Sequence, residues 1–181
     1  MKREDLEHVI RAAAAVSGCS DIVVVGSQAI LGQHPDAPAA LLFSQEADVY
    51  PREDPEKAIY IDGAMGDGSQ FHETFGYYAH GIGPETATAP AGWEARLVPV
   101  RVVRASASDG EATGWCLEVH DLVLAKCAAG RERDWEFARE VILHRLVEPD
   151  ELLRRVCDLP LDDVRRERVR SLLVRVISAA G

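Results

Sequence analysis

The sequence predicts an α+β fold, with a mixed β-sheet flanked by helices and a helical C-terminal region. Three observations point there. The run "DIVVVG" (21–26) is short and β-branched, as in a buried strand. "EADVYP" (46–51) and "RLVPVRVV" (96–103) look extended, and "EADVYP" alternates in period two. From residue 119 onward the apolar spacing is helical almost without a break.

Taken in order, "REDLEHVIRAAAAVSG" (3–18) is an amphipathic helix. Leu6, Ile10, Ala13 and Ala14 share a face, Asp5 and Glu7 lie in the first turn, and Gly18 closes it. The "DIVVVG" strand stops at Gly26-Ser27, and "SQAILGQ" (27–33) starts a short helix. "HPDAP" is a turn. "ALLFSQEADVYP" (40–51) reads as strand or strand–bulge–strand, with Glu46, Asp48 and Tyr50 on one face and Ala47 and Val49 on the other. "DPEKAIYIDGAMG" (54–66) is a helix with Asp54 as N-cap and Pro55 at its first position. The Gly-rich stretch 63–94 predicts short strands and loops. In "ARLVPVRVVRA", Pro99 indicates an edge strand or a bulge. "SASDGEATG" (106–114) is a turn and "WCLEV" (115–119) a strand. Helices follow at "HDLVLAKCAAG", "RDWEFAREVILHRL", "EPDELLRRVCDL" and "DDVRRERVRSLLVRVI".

The 181 residues suit one domain, with 1–145 as its main body and 146–181 as a helical extension packed on it. The net charge of −10 argues against a long nucleic-acid footprint, and "RRERVRSLLVR" is the best local basic patch. The four cysteines are scattered, with no C-x-x-C pair, which favours free thiols over a zinc site or a disulfide framework. The charged N-terminus and the lack of a long apolar run predict a cytoplasmic protein with no membrane partner.

The Gly26-Ser27 corner and the Glu46/Asp48 pair carry the chemical argument. A glycine at a strand end lets a phosphate approach the backbone, and the following helix N-terminus offers N–H groups, with the Ser27 hydroxyl beside them. A plain strand-to-helix turn is the competing reading. Glu46 and Asp48 lie about 7 Å apart along one strand face. Two carboxylates so placed suit Mg²⁺, which takes one or two carboxylates plus substrate phosphates. The wet face of an edge strand would look the same. Lys126 sits in an apolar helix and needs an anion if buried, such as a triphosphate or the acid pair; otherwise it snorkels to solvent. "GSQFHETFGYYAHGIG" brings His72, Glu73, Tyr77, Tyr78 and His80 together, as a pocket loop with stacking aromatics or as satisfied structural histidines. Glu118, His120 and Asp121 read as caps of the Lys126 helix.

These residues resemble the nucleotidyltransferase superfamily of DNA polymerase β-like fold, whose mark is Gly-Gly or Gly-Ser at a strand end and acid-x-acid on the next strand. Within it the chain looks most like small bacterial nucleotidyltransferase-like proteins related to AbiEii-type toxins. There a Ser or Thr precedes the acid pair, as Ser44 does here. A Lys helix and a basic-Asp helix start follow, as in "EVHDLVLAKCAAGRERDWEFA" with Lys126, Arg133 and Asp134. The resemblance covers about residues 20–145. It implies a nucleotidyltransferase-like fold with Glu46, Asp48, Lys126 and Asp134 as catalytic residues and Glu46 and Asp48 as ligands of Mg²⁺. Gly26, Ser27, Ser44 and Lys126 would bind the nucleotide. The substrate would be an NTP. The acceptor would be an RNA such as tRNA, a protein or a small molecule, with a toxin–antitoxin role and a cognate antitoxin among the implied partners.

Three departures stand out. Glu46 replaces the usual Asp, Glu46 comes nineteen positions after Ser27, and "ARLVPVRVV" supplies no third acid. The first and last motivate the alternative of a catalytically degenerate nucleotide- or partner-binding module.

Overall fold

The computed structural model describes residues 1–103 and 110–180. Its centre is a five-stranded mixed sheet. The strands are β1 (Asp21–Val24), β2 (Glu46–Pro51), β3 (Tyr78–Gly81), β4 (Val98–Val103) and β5 (Glu111–Cys116), in the order β3-β2-β1-β5-β4. β1 runs antiparallel to β2 and parallel to β5; β2 runs parallel to β3, and β4 antiparallel to β5. The helices are α1 (Arg3–Ser17), α2 (Ile30–Gln33), α3 (Ala58–Met65), α4 (Gln70–Phe75), α5 (Val119–Ala129), α6 (Glu132–Leu143), α7 (Pro149–Arg155) and α8 (Asp163–Ala180).

Alternation along the strands makes two unequal faces. Ile22, Val24, Ala47, Val49, Ala79, Val100, Val102, Ala112 and Cys116 point into the main core. There α1 crosses all five strands and buries Leu6, Val9, Ile10, Ala13 and Ala14. At about 1.5–3 kcal/mol for each large aliphatic side chain, this face supplies most of the driving force for folding. Gly114 lets α1 lie that close, because a Cβ there would overlap the Ile10 side chain. The opposite face carries a smaller apolar cluster of Val23, Val25, Tyr50, Ala58, Ile82 and Leu97. By the same alternation it also carries Glu46 and Asp48.

Leu152, Val156, Leu159, Leu161, Val169 and Leu173 join the main core, so α7 and α8 share it with α5 and α6. α5 is held by an ion cluster at its start. Glu118, its N-cap, accepts hydrogen bonds from the N–H groups of His120 (3.1 Å) and Asp121 (3.4 Å). Asp121, with no exposed surface, binds Arg96 through Nε (2.7 Å) and Arg155 through Nη1 (3.0 Å). Arg155 also reaches Glu118 at 2.7 Å. Glu118, Asp121, Arg96 and Arg155 together tie the segment before β4, α5 and α7.

Several elements differ from the sequence reading. Ala39–Leu41 forms a 3-10 turn, and the strand begins only at Glu46, because Ser44 turns the chain just before it. Pro55–Lys57 is likewise 3-10, and Asp54 precedes it without a side-chain cap. The Gly-rich stretch contains a helix, α4, capped by the Ser69 hydroxyl accepting from His72 N–H at 3.2 Å. Glu111–Gly114, read as turn, opens β5. "RLVPVRVV" is an edge strand as Pro99 indicates, but β5 lies between it and β1. The turn predicted at 106–114 falls partly outside the described residues. Among the described residues no helix is long and apolar enough to cross a membrane.

Candidate active site

Where β1 ends, Val25 N–H donates to the Asp48 carbonyl at 3.1 Å, carrying the β1–β2 ladder one step past the strand. The next residue, Gly26, has an ordinary negative φ, so its requirement is space rather than conformation. A Cβ at Gly26 would overlap the Asp48 carboxylate. Ser27 opens a 3-10 turn (Ser27–Ala29) that runs into the four residues of α2. So short an element carries little dipole. What the corner offers a phosphate is peptide N–H groups and a hydroxyl.

Ser44 sets the entry to β2. Its Oγ accepts from Glu46 N–H at 3.0 Å and donates to the Glu46 carbonyl at 3.2 Å. The contact seen for Ser44 is therefore with the backbone of the first acid.

The acid pair faces β3. Register places Glu46 beside Tyr78 and Asp48 beside His80. His80 Nδ1 lies 3.0 Å from Glu46 Oε1 and 3.2 Å from Asp48 Oδ1. Tyr78 donates its hydroxyl to the other Glu46 oxygen at 3.3 Å, and the His72 ring packs on the Tyr78 ring at 4.7 Å. Burial and the adjacent Glu46 charge push the Asp48 carboxyl above its ordinary value, against the pull of His80. One ligand atom from each of Glu46, Asp48 and His80 lies within 4.8 Å of the others, a donor set able to hold a divalent ion.

Lys126 and Asp134 meet because Gly130, in the left-handed region at φ 73°, ends α5 and turns the chain into α6. The last turn of α5 then lies beside the first turn of α6. Lys126 Nζ is 3.4 Å from Asp134 Oδ1 and sits over the Phe137 ring at 4.8 Å. Asp134 is fully buried. It accepts from Arg131 N–H at 3.3 Å and from the Arg131 guanidinium at 2.7 and 3.3 Å. Burial raises its carboxyl, but Arg131 and Lys126 outweigh this and hold it below the ordinary range. Burial lowers the Lys126 ammonium, with Asp134 and then Asp48 pulling it back. Arg131 also feels Asp48 and Glu46.

The predicted residues thus form two groups. Gly26, Ser27, Ser44, Glu46 and Asp48 gather at the β1–β2 corner. Lys126 and Asp134 bond to each other, and the charge of Asp48 reaches Lys126. α5 packs on the Ser27–Ala29 turn, which joins the groups. Arg133 is exposed; the base that grips Asp134 is Arg131. The sequence reading looked for a third donor on "ARLVPVRVV", but β4 lies three places from β2 in the sheet. The outer neighbour of β2 is β3, and it presents His80. Period-two spacing of Tyr78 and His80, matching that of Glu46 and Asp48, was the available signal.

A Gly-Ser corner at one strand end, an acid-x-acid pair on its antiparallel neighbour and a lysine helix behind them make the frame of a nucleotidyltransferase fold. A family model described as "Nucleotidyltransferase of unknown function (DUF6036)" matches residues 4–175, and the chain belongs to that family. No curated protein and no solved structure matches it.

The close packing of Gly26 on Asp48 gives a direct prediction. Gly26→Ala is expected to displace the Asp48 carboxylate and lower nucleotidyl transfer about a hundredfold, the scale of an ångström-level misplacement. The melting temperature should fall by only a few degrees, since the displaced atoms end a side chain that keeps 28% of its surface exposed. Parallel rate and thermal-melt measurements check both parts.

Proposed function

We propose that this protein is a divalent-metal-dependent nucleotidyltransferase that moves an NMP from an NTP to an acceptor hydroxyl. The observation that carries the reading is the Glu46/Asp48 pair beside the Gly26 corner, with α5, which bears Lys126, packed on the Ser27–Ala29 turn. An acceptor oxygen attacks the α-phosphorus, the bond from that phosphorus to the α–β bridging oxygen breaks, and pyrophosphate leaves with the electron pair. The acceptor proton passes to solvent or to an acid-pair oxygen.

Glu46 and Asp48 would hold the ion, with Mg²⁺ the usual choice of an acid pair that shares it with phosphates. When bound, the ion neutralises charge building on the phosphoryl oxygens. Gly26 leaves room for the Asp48 carboxylate and offers its backbone to the phosphate tail, and Ser27 donates its hydroxyl to that tail. Ser44 fixes Glu46. Lys126 pairs with the tail; Asp134, itself gripped by Arg131, aims that ammonium and favours its charge. The acceptor classes in view are an RNA such as tRNA, a protein and a small molecule. The acidic chain favours an acceptor with a short footprint. A toxin role with a cognate antitoxin is the biological setting suggested by the resemblance of Lys126 and Asp134 to the AbiEii-related pattern.

Replacement of the usual Asp by Glu46, with His80 as the third donor, favours one second reading: a degenerate module that binds nucleotide without turnover. Incubation with each α-labelled NTP, Mg²⁺ or Mn²⁺ and pooled acceptors separates the two. Label transferred to an acceptor supports the enzyme. A thermal shift with metal–NTP, but no transfer by wild type or Glu46→Asp, supports the module. Lys126→Ala is expected to weaken NTP binding at least about tenfold, the loss of one charge-assisted contact of 1.5 kcal/mol or more. Its stability should suffer less, because Arg131 still pairs with Asp134. A nucleotide titration of the thermal shift reads the first effect and denaturant unfolding the second.

A further inference from the structure

We infer that His80 is a third metal ligand, and that Glu46, Asp48 and His80 together select a first-row transition ion such as Mn²⁺ over Mg²⁺. The inference deepens the metal site of the proposed function but does not depend on transfer taking place. Two ligands in adjacent positions on an octahedral ion, each about 2.1 Å from it, lie about 3 Å apart. His80 Nδ1 stands 3.0 and 3.2 Å from one oxygen of each carboxylate. One ring nitrogen is therefore spaced from both acids as ligands of a single ion are.

The strand register explains the choice of acids. Asp48 lies beside His80 and reaches it with a short side chain. Glu46 lies beside Tyr78, two residues away along the strand, and must reach diagonally. Its additional methylene closes that distance. Tyr78 engages the second Glu46 oxygen and leaves Oε1 to the shared point, the kind of outer contact that orients a ligand. His80 lies on a strand at the edge of the sheet and is half exposed, so packing does not demand an imidazole there. Imidazole is a poor match for Mg²⁺, which prefers oxygen and gives up water reluctantly. It suits the later first-row ions, and Mn²⁺ accepts it alongside carboxylates.

The test uses metal-stripped, full-length protein without nucleotide. Mn²⁺ is titrated by electron paramagnetic resonance, and Mg²⁺ is added as competitor. Wild type is expected to bind one Mn²⁺, with spin-echo modulation from an imidazole nitrogen. His80→Ala should lose that modulation and weaken Mn²⁺ binding at least about tenfold, with Mg²⁺ changed by less than about threefold. His80→Asp should swing the preference towards Mg²⁺. Circular dichroism confirms that each variant is folded. Mn²⁺ binding unchanged in folded His80→Ala, or bound Mn²⁺ without nitrogen modulation, overturns the inference even if transfer with Mg²⁺ is found. Nitrogen-coupled Mn²⁺ in a protein that transfers no nucleotide supports it and overturns only the catalytic reading.

Discussion

Asp48→Asn is expected to lower nucleotidyl transfer by about a thousandfold or more while the protein stays folded. Asp48 stands between His80 and the Gly26 corner. It touches His80, fills the space left by Gly26, and its charge reaches Lys126 and Arg131. A carboxylate there would hold the divalent ion whose charge offsets the negative phosphoryl oxygens of the transition state; a neutral amide of the same shape is a far weaker ligand. The stability effect runs the other way. Burial and the neighbouring Glu46 raise the Asp48 carboxyl, so folding disfavours its charge. A carboxyl raised in the folded state costs stability as pH climbs past its ordinary value. Removing it should leave the chelated protein as stable as wild type at pH 7, or slightly more so. The difference should vanish in acid, where wild-type Asp48 is also neutral. A transfer assay together with chelator-treated melts at pH 4 and pH 7 reads both signs. A strong loss of stability at pH 7 would mean that Asp48 supports the fold rather than the chemistry.

Asp121→Ala is expected to have the largest effect on stability of any single charge removal considered. Asp121 is fully buried and bonds both Arg96 and Arg155. Taking away one member of such a cluster strands its partners, at about 3–5 kcal/mol. For a chain of this size that corresponds to a drop in melting temperature on the order of 10 °C. Glu118 remains beside Arg155, so the lower part of the range is the better expectation. The double change Asp121→Leu with Arg155→Met should recover part of the loss, because Arg155 is then no longer stranded, while Arg96 still loses its carboxylate and Glu118 keeps His120. Denaturant melts of the three proteins test this. An Asp121→Ala protein within 1 kcal/mol of wild type would show that water reaches the cluster.

Much of the frame was legible because burial leaves periodic traces. Ile22, Val24, Ala47 and Val49 alternate as core positions must, and the helical spacing of α5 to α8 is continuous. Gly26 was singled out for a phosphate's approach to the backbone; that it makes room for Asp48 shows only in the packing. His80 was obscured for a physical reason. β3 is four residues long, with a single buried position, and lies at a sheet edge, so it shows too little burial to announce a strand. Arg131 was missed because local spacing points to Arg133, whereas the geometry of a helix start brings the residue three before Asp134 back onto its carboxylate. The 3-10 character of the turn after Gly26 lies below what residue preferences resolve, since 3-10 and α turns draw on nearly the same residues.

The order of the sheet has a consequence for how the molecule is made. β1 and β2 are neighbours in the chain, and β3 follows soon after, so the corner that carries both acids and His80 is complete by residue 81. The other partner of β1 is β5, about ninety residues further along. During synthesis the electronegative half of the site leaves the ribosome first. For a few seconds at ordinary elongation rates it lacks the Lys126 and Arg131 charges that later balance it. The parallel β1–β5 pairing is the slow, long-range event that unites the halves. A metal ion bound early to the growing chain would meet a bare acid–imidazole corner, and its arrival would favour the β2–β3 pairing that the finished sheet needs.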